Sequence, residues 1–334
     1  MKPLSLYDEE SLIKMVELQK ATQWDLEKAI DWQLPIDLNK PLVPLDEKAL
    51  FFPGAGKEER LAISQMMGLV IAAAICEMEE SLIRLRSVGW DQLAAKYPVN
   101  PEFVELGEQF FAEEEKHSEA FRRYLKKFAD TAGIEFEVLR EVLPVIESTK
   151  TEFILRKNLE LGGYSFWWIV AQVEQEFLLL YNALAPFKQS LEPLYFDIHR
   201  KHFEEEARHA SFPYLLLELL ITRSTHPLNL VHQKADLMVS QLLQAMWTVN
   251  SLSRLKKLKK IKQKHPLFDA LLKVYPLFEK QPVHRIFWGL FTSVPYVSSL
   301  VNPFYHRKFL KFTERMGAFS IPFPAPEPAP LLKE

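Results

Sequence analysis

HRKHFEEEARHA, residues 199–210, brings three histidines (His199, His202, His209) and three glutamates (Glu204, Glu205, Glu206) into little more than three helical turns. Glutamate suits an exposed helix, but histidines repeated along one stripe need another reason. Residues i, i+3, i+4 and i+7 share a helix face, so His202, Glu206 and His209 project side by side, with His199 one turn back. Glu204 and Glu205 fall on other faces, where solvation is expected.

A second stretch, FFAEEEKHSEAF (110–121), sets Glu114 and His117 at i, i+3 spacing. Each stretch is therefore a Glu-x-x-His unit inside a long helical pattern. Two such units in a four-helix bundle, with one glutamate from each remaining helix, make the pattern that holds a pair of iron or manganese ions. Carboxylates neutralise and bridge the ions, imidazoles tune them, and oxygen-rich ligation leaves positions open for dioxygen. The pattern requires a glutamate in the apolar stripe of each other long helix. ICEMEESLIRL (75–85) supplies Glu79, flanked at i±3 and i±4 by Ile75, Cys76, Leu82 and Ile83, while Glu80 has charged neighbours and is expected in solvent. WWIVAQVEQEFLLLYNAL (167–184) holds Glu174 and Glu176, either of which would be costly to bury unpaired. Glu174, beside Val170, Phe177, Leu178 and Tyr181, is preferred, and Glu176 stays a competitor.

Helical periodicity runs through the rest of the chain. The 10 glycines are too few for a turn-rich β protein. Two short helical patterns (about 8–31) precede a proline-punctuated extended segment (34–56). Long helices are expected at about 57–87, 100–130, 151–185 and 191–222, with a shorter one at 134–149. Asn100-Pro101 opens the second long helix, Gly162-Gly163 kinks or breaks the third, and Pro213 kinks the fourth. Further helices are expected at about 227–264, 267–279 and 300–317, before a proline-rich extended tail (321–330). The expected organisation is one helical domain over 1–320, with a bundle core at about 57–222 and a C-terminal extension at about 226–320, and a tail at 321–334.

With 48% hydrophobic and 25% charged residues and a net charge of -3, nothing marks a nucleic-acid binder. A single cysteine, Cys76, excludes internal disulfides and thiolate clusters, so any metal would be held by nitrogen and oxygen. MKPLSLYDEESLIK lacks a basic region followed by an apolar run, so no signal peptide is expected. The most span-like stretch, Ile286–Val301, is short and broken by serine and proline. A cytoplasmic protein is expected. LSRLKKLKKIKQKH (252–265) carries Leu252, Leu255, Leu258 and Ile261 at i, i+3 spacing under a basic face. It is read as an amphipathic helix whose apolar edge packs on the bundle, or which docks on a membrane surface or on an acidic partner such as an acyl carrier protein.

His202-Phe203-Glu204-Glu205-Glu206-Ala207-Arg208-His209 resembles the H-x-x-[DE]-E-x-R-H pattern of the AurF-type di-iron N-oxygenases, the family of p-aminobenzoate N-oxygenase. Generic ferritin-like proteins lack the histidine four residues before the glutamate. EEEKHS (113–118) is similar to that family's acidic-Glu-x-[RK]-His-Ser, and IDWQLPID (30–37) looks like its lead-in. The resemblance covers about residues 25–225. It implies an all-α, ferritin-like four-helix bundle with additional N- and C-terminal helices. It also implies a ligand set of Glu79, Glu114, His117, Glu174, His202, Glu206 and His209 around two iron ions, with manganese an alternative that ligand type alone does not separate. Glu114 and Glu206 would bridge, His117 and His209 would sit on opposite irons, and His202 would add a nitrogen to one.

His199, outside the pattern, is either a supporting partner or an ordinary packed histidine. The activity implied is reduction of the site, O2 binding as a peroxo-diferric species, and oxygen transfer to an arylamine nitrogen, with electrons from an external donor. Competing readings are a hydroxylase or desaturase acting on carbon of a fatty acyl or carrier-tethered substrate, a ferritin-like iron store, and a non-catalytic helical module. Phe110, Phe111, Phe121, Trp167 and Tyr181 lie near the ligands along their helices and are candidate pocket residues. A homodimer is compatible with the sequence.

Overall fold

The computed structural model describes residues 8–45, 55–97, 99–143, 148–209, 211–223, 231, 233–240, 242–243, 254–279, 311–312 and 314–315, and among them there is no strand. The chain is an all-α bundle. α1 (Glu9–Thr22) starts where the Asp8 side chain accepts from the Ser11 backbone N–H at 2.7 Å. α2 (Lys57–Arg86) passes through a π-helical turn (Ser87–Asp91) into α3 (Gln92–Lys96). α4 (Pro101–Ala132) begins on proline, whose missing N–H is harmless in a first turn. α5 (Phe136–Val142) and α6 (Ser148–Glu160) lead to α7 (Ser165–Leu184), α8 (Pro193–His209) and α9 (Phe212–Arg223). A 3-10 segment (Leu255–Lys260) and α10 (Pro266–Glu279) follow.

Side-chain contacts fix the directions. Cys76 faces the Ser118 carbonyl while Arg86, further along α2, pairs with Glu108, so α2 and α4 are antiparallel. Tyr124 donates to Glu192 at 3.3 Å and Glu113 meets His209 at 2.6 Å, so α4 and α8 are antiparallel too. The ring pairs Phe177–His202 and Tyr181–Phe196 set α7 against α8 in the same sense. Gly68 with Tyr195 and Glu79 with His202 run α2 parallel to α8.

Two apolar clusters fill the bundle. One contains Ala72, Cys76, Phe121, Val173, Phe177 and Ile198; the other contains Leu82, Leu85, Phe110, Phe111, Val170, Ala171 and Phe212. Along α2, α4 and α8 the glutamates and histidines of interest fall between the two, and on α7 Glu174 lies next to their junction at Ala171 and Val173.

Several expectations are corrected. Residues 8–31 form one helix and then turns, because Trp24 is tied down through its indole N–H to the Lys201 carbonyl (3.0 Å) and Asp25 caps the turn at Glu27 and Lys28. At Gly162-Gly163, where a kink or break was expected, the third long helix breaks: the φ of Gly162, 78°, is left-handed and separates α6 from α7. The fourth ends at His209 instead of bending at Pro213, which sits in the first turn of α9 where proline is tolerated. Residues 227–264 are not one helix. Helical residues at 233–240 are followed later by the 3-10 segment, in which i, i+3 side chains eclipse. That period suits the leucine spacing better than an α-helix does, and it buries Leu258 with Ile261 packed beside it. Ile286–Val301, the proline-rich tail and most of 300–317 lie outside the described residues.

The stretch Lys57–Lys96 is long and apolar enough to cross a membrane, but 67% of its most apolar window is buried within the protein. The core accounts for its apolarity. Trp90 of the π-helical turn is 1% exposed and lies flat on Gly107, where an added Cβ would come 2.1 Å from the indole. Gly107→Ala is therefore expected to lower unfolding stability by about 1–3 kcal/mol through overpacking, read as a lower urea midpoint with an unchanged slope.

Candidate metal centre

Each predicted ligand is buried: Glu79, Glu114, His117, Glu174 and Glu206 are fully enclosed, and His202 and His209 are 2% exposed. They come from all four core helices and meet in one layer. Glu79, His117, His202 and Glu206 present ligand atoms within 4.8 Å of one another, as do Glu114, His117, Glu206 and His209. Glu206 is common to both groups, with Oε1 2.9 Å from His202 Nε2, 3.1 Å from His117 Nδ1 and 3.5 Å from His209 Nδ1. His202 Nε2 also lies 2.9 Å from Glu79. His209 Nδ1 lies 2.9 Å from Glu114 and 3.8 Å from Glu174. Glu174 thus faces the layer, whereas the Glu176 carboxylate accepts from Gln172 on its own helix at 3.3 Å.

Carboxylate oxygens of Glu79, Glu114, Glu174 and Glu206 and the Nδ1 atoms of His117 and His209 are buried without a partner in hydrogen-bond geometry. Orphaned polar atoms are rare in protein interiors, and here they converge. Burial, reinforced by Glu114, pushes the Glu79 carboxyl well above its ordinary pKa; burial with Glu206 and Glu114 does the same to Glu174. Burial opposes ionisation of Glu206 as well, but His202 and His209 outweigh it and hold its pKa well down. The four interior carboxylates match the charge of two divalent cations, which would satisfy the orphaned atoms together. These groups are placed to bind a metal ion pair.

An outer frame orients the imidazoles, and here the sequence reading needs correction. Glu205, expected in solvent, is fully buried and accepts from His117 Nε2 at 2.7 Å. Glu113 reciprocates from the other helix, accepting from His209 Nε2 at 2.6 Å. These bonds put a ring proton on each Nε2 and aim each Nδ1 into the layer, where a bound ion would displace any proton it carries. Lys116 bonds Glu205 at 2.6 Å and Arg208 bonds Glu113 at 3.1 Å, offsetting the two outer charges. Both ligand helices thus carry the same five-residue device, Glu113-Glu114-Glu115-Lys116-His117 and Glu205-Glu206-Ala207-Arg208-His209. Burial works against charge on each imidazole, yet the surrounding carboxylates prevail and raise both the His117 and His209 pKa values. The N-terminal region closes the frame. Gln19 of α1 donates to Glu113 at 2.9 Å, and the Trp24 backbone N–H donates to Glu205 at 3.2 Å. The repeated Glu-Glu-x-[Lys/Arg]-His was visible in the sequence and could have revealed Glu113 and Glu205, but nothing local pointed to Gln19 or Trp24.

The candidate pocket aromatics divide. Phe110 touches the His209 ring (centroids 4.9 Å apart) and Phe121 the His202 ring (5.2 Å). Phe111 and Trp167 pack one layer back, where the Trp167 indole N–H donates to the Gly89 carbonyl. Tyr181 stacks on Phe203 on the flank of the bundle. Phe177, 4.7 Å from the His202 ring, belongs to the wall and was not anticipated. His199 is packed between Tyr195 and Phe121, with burial driving its pKa well below the ordinary value.

No protein-family model matches the chain, and no curated protein matches it by sequence. Because Glu79 and Glu174 hold protons above the usual carboxylate range and His117 and His209 are raised, metal binding should release protons, and affinity should fall as pH is lowered. Glu205→Ala is expected to weaken metal binding by about 10–100-fold without removing a ligand, measurable by calorimetric titration at two pH values.

Proposed function

We propose that the chain is a non-haem di-iron oxygenase of the AurF type, which uses O2 and electrons from an external donor to oxidise the nitrogen of an arylamine. The observation that carries this reading is the third imidazole. His202 stands 2.9 Å from both Glu79 and Glu206 in a site otherwise dominated by carboxylates. It occupies the position that distinguishes the H-x-x-[DE]-E-x-R-H pattern from generic ferritin-like bundles, and this disfavours simple iron storage.

Glu79, Glu114, Glu174, Glu206, His117, His202 and His209 would hold the ions, and two irons there would supply the electrons and open positions that reductive O2 activation needs. The protein's own contribution is orientation and dryness. Glu113 and Glu205 fix the ring orientation and tautomer of His209 and His117. Phe121 and Phe177 keep bulk water from the His202 imidazole, and Phe110 packs on the His209 ring. Lys116 and Arg208 hold the outer carboxylates ionised, with the Glu113 pKa at about 2 because its bonds to His209 and Gln19 overcome the effect of burial.

Protein produced in iron-supplemented medium should contain about two irons per chain by mass spectrometry, and Glu206→Ala should lose both. Reduced protein given an arylamine and O2 should yield nitrogen-oxidised product. Products oxidised only at carbon would overturn the choice of acceptor, and properly folded wild-type protein without metal would overturn the oxygenase.

A further inference from the structure

The two ligand groups share Glu206 and His117, but His117 lies nearer the Glu79 side, with its Nδ1 4.0 Å from Glu79 Oε1 and its ring centroid 4.6 Å from that of His202 against 5.5 Å from that of His209, and the surroundings of the two groups differ. On the side of Glu79 and His202 the walls are aromatic: the His202 ring contacts Phe121 and Phe177. Behind His117 lies Trp24, which is 8% exposed and stacked on the imidazole with centroids 5.9 Å apart. Trp24 is fastened at several points. Its indole N–H donates to the Lys201 carbonyl, its backbone N–H donates to Glu205, its carbonyl accepts from Lys116 at 2.9 Å, and the Lys116 ammonium lies 4.2 Å from its ring centroid.

The His209 side is open by comparison. A cleft runs between α1 and the α8–α9 break, lined by Met15, Leu18, Leu106, Phe110 and Arg208, and it ends on His209 and Gln19. At its mouth Leu18 is 53% exposed and Ala207 is exposed. The Arg208 charge in its wall is offset by Glu113 at 3.1 Å. Water can therefore approach the outer face of His209 through this cleft, whereas the described residues against His117 and His202 are Trp24, Phe121 and Phe177. Exchange of a bound ion requires water to replace protein ligands one by one, so an access path sets its rate.

We propose that the two metal positions exchange unequally. The ion held by Glu114 and His209 is loaded and lost through the cleft, whereas the ion held by Glu79 and His202 is locked behind Trp24, Phe121 and Phe177. The inference rests on the metal-pair part of the function proposed above and is independent of which substrate is oxidised.

The test uses full-length protein loaded with Co(II), a probe whose ligand-field absorbance reports each bound ion, and then chased with excess EDTA. Metal content is counted before the chase, so failure to bind a pair is told apart from failure of the asymmetry. Wild-type protein should release its ions in two phases of equal amplitude. Ala207→Trp, at the exposed mouth, should slow only the fast phase severalfold. Trp24→Ala should speed only the slow phase, by about tenfold, since it also loosens the Glu205–His117 bond. Leu18→Ala, a surface change that leaves the core intact, should leave the slow phase untouched and the fast phase no slower. Release of both ions in one phase from fully loaded protein, or an Ala207→Trp variant with wild-type release, would overturn the proposal.

Discussion

Like charges crowded into an apolar interior are the constraint on which the rest of this bundle depends. Four carboxylates and three imidazoles occupy one layer between two apolar clusters, and desolvation, with the neighbouring carboxylates adding to it, raises the Glu79 and Glu174 pKa values. A buried carboxylate without a counter-charge costs several kcal/mol even after relaxation. The helices could relieve that cost by rotating their acidic positions outward, but the same rotation would expose Phe110, Phe121 or Phe177. The apolar faces above and below therefore hold the polar layer in place, and a pair of cations is the partner that would make the layer favourable.

Around this layer the protein builds a frame that is neutral and reciprocal. Each ligand helix supplies a carboxylate to the imidazole of the other, so α4 and α8 are cross-linked twice at the level of the ligands. Lys116 and Arg208 complete the charge balance without entering the layer. Reciprocity gives the pair an approximate twofold relation, which the N-terminal region then breaks. Trp24 covers one imidazole broadly, whereas Gln19 reaches only the carboxylate behind the other.

The helical class and the inward-facing ligands were legible because helix periodicity translates directly into faces. Glu79 could be placed on an apolar stripe from its neighbours and Glu174 preferred over Glu176 in the same way, while Glu114, His117, His202, Glu206 and His209 were read from their spacing along two helices. Glu205 could not be placed by either means, because a single helix shows it on a polar side and only the approach of α4 converts that side into interior. Gln19 and Trp24 were invisible for a related reason: their partners lie 94 and 181 residues away in the chain. The partners of Tyr181, Phe196 and Phe203, were not legible either, because sequence proximity along α7 does not say which neighbouring helix a side chain meets. The Leu255–Lys260 segment illustrates a period misread, since spacing by three fits a 3-10 turn as well as the edge of an α-helix.

The last candidate ligand, His209, lies at the break between two helices: the Ser211 N–H returns to the Arg208 carbonyl, and α9 begins at Phe212. Among the described residues, every one that contributes an atom to the layer or its frame lies at or before position 209. The break therefore separates two kinds of constraint: before it the spacing of polar atoms in His202, Glu206 and His209 is fixed by the helix, and after it α9 supplies apolar packing, with Phe212 seated against Phe110 and Trp90.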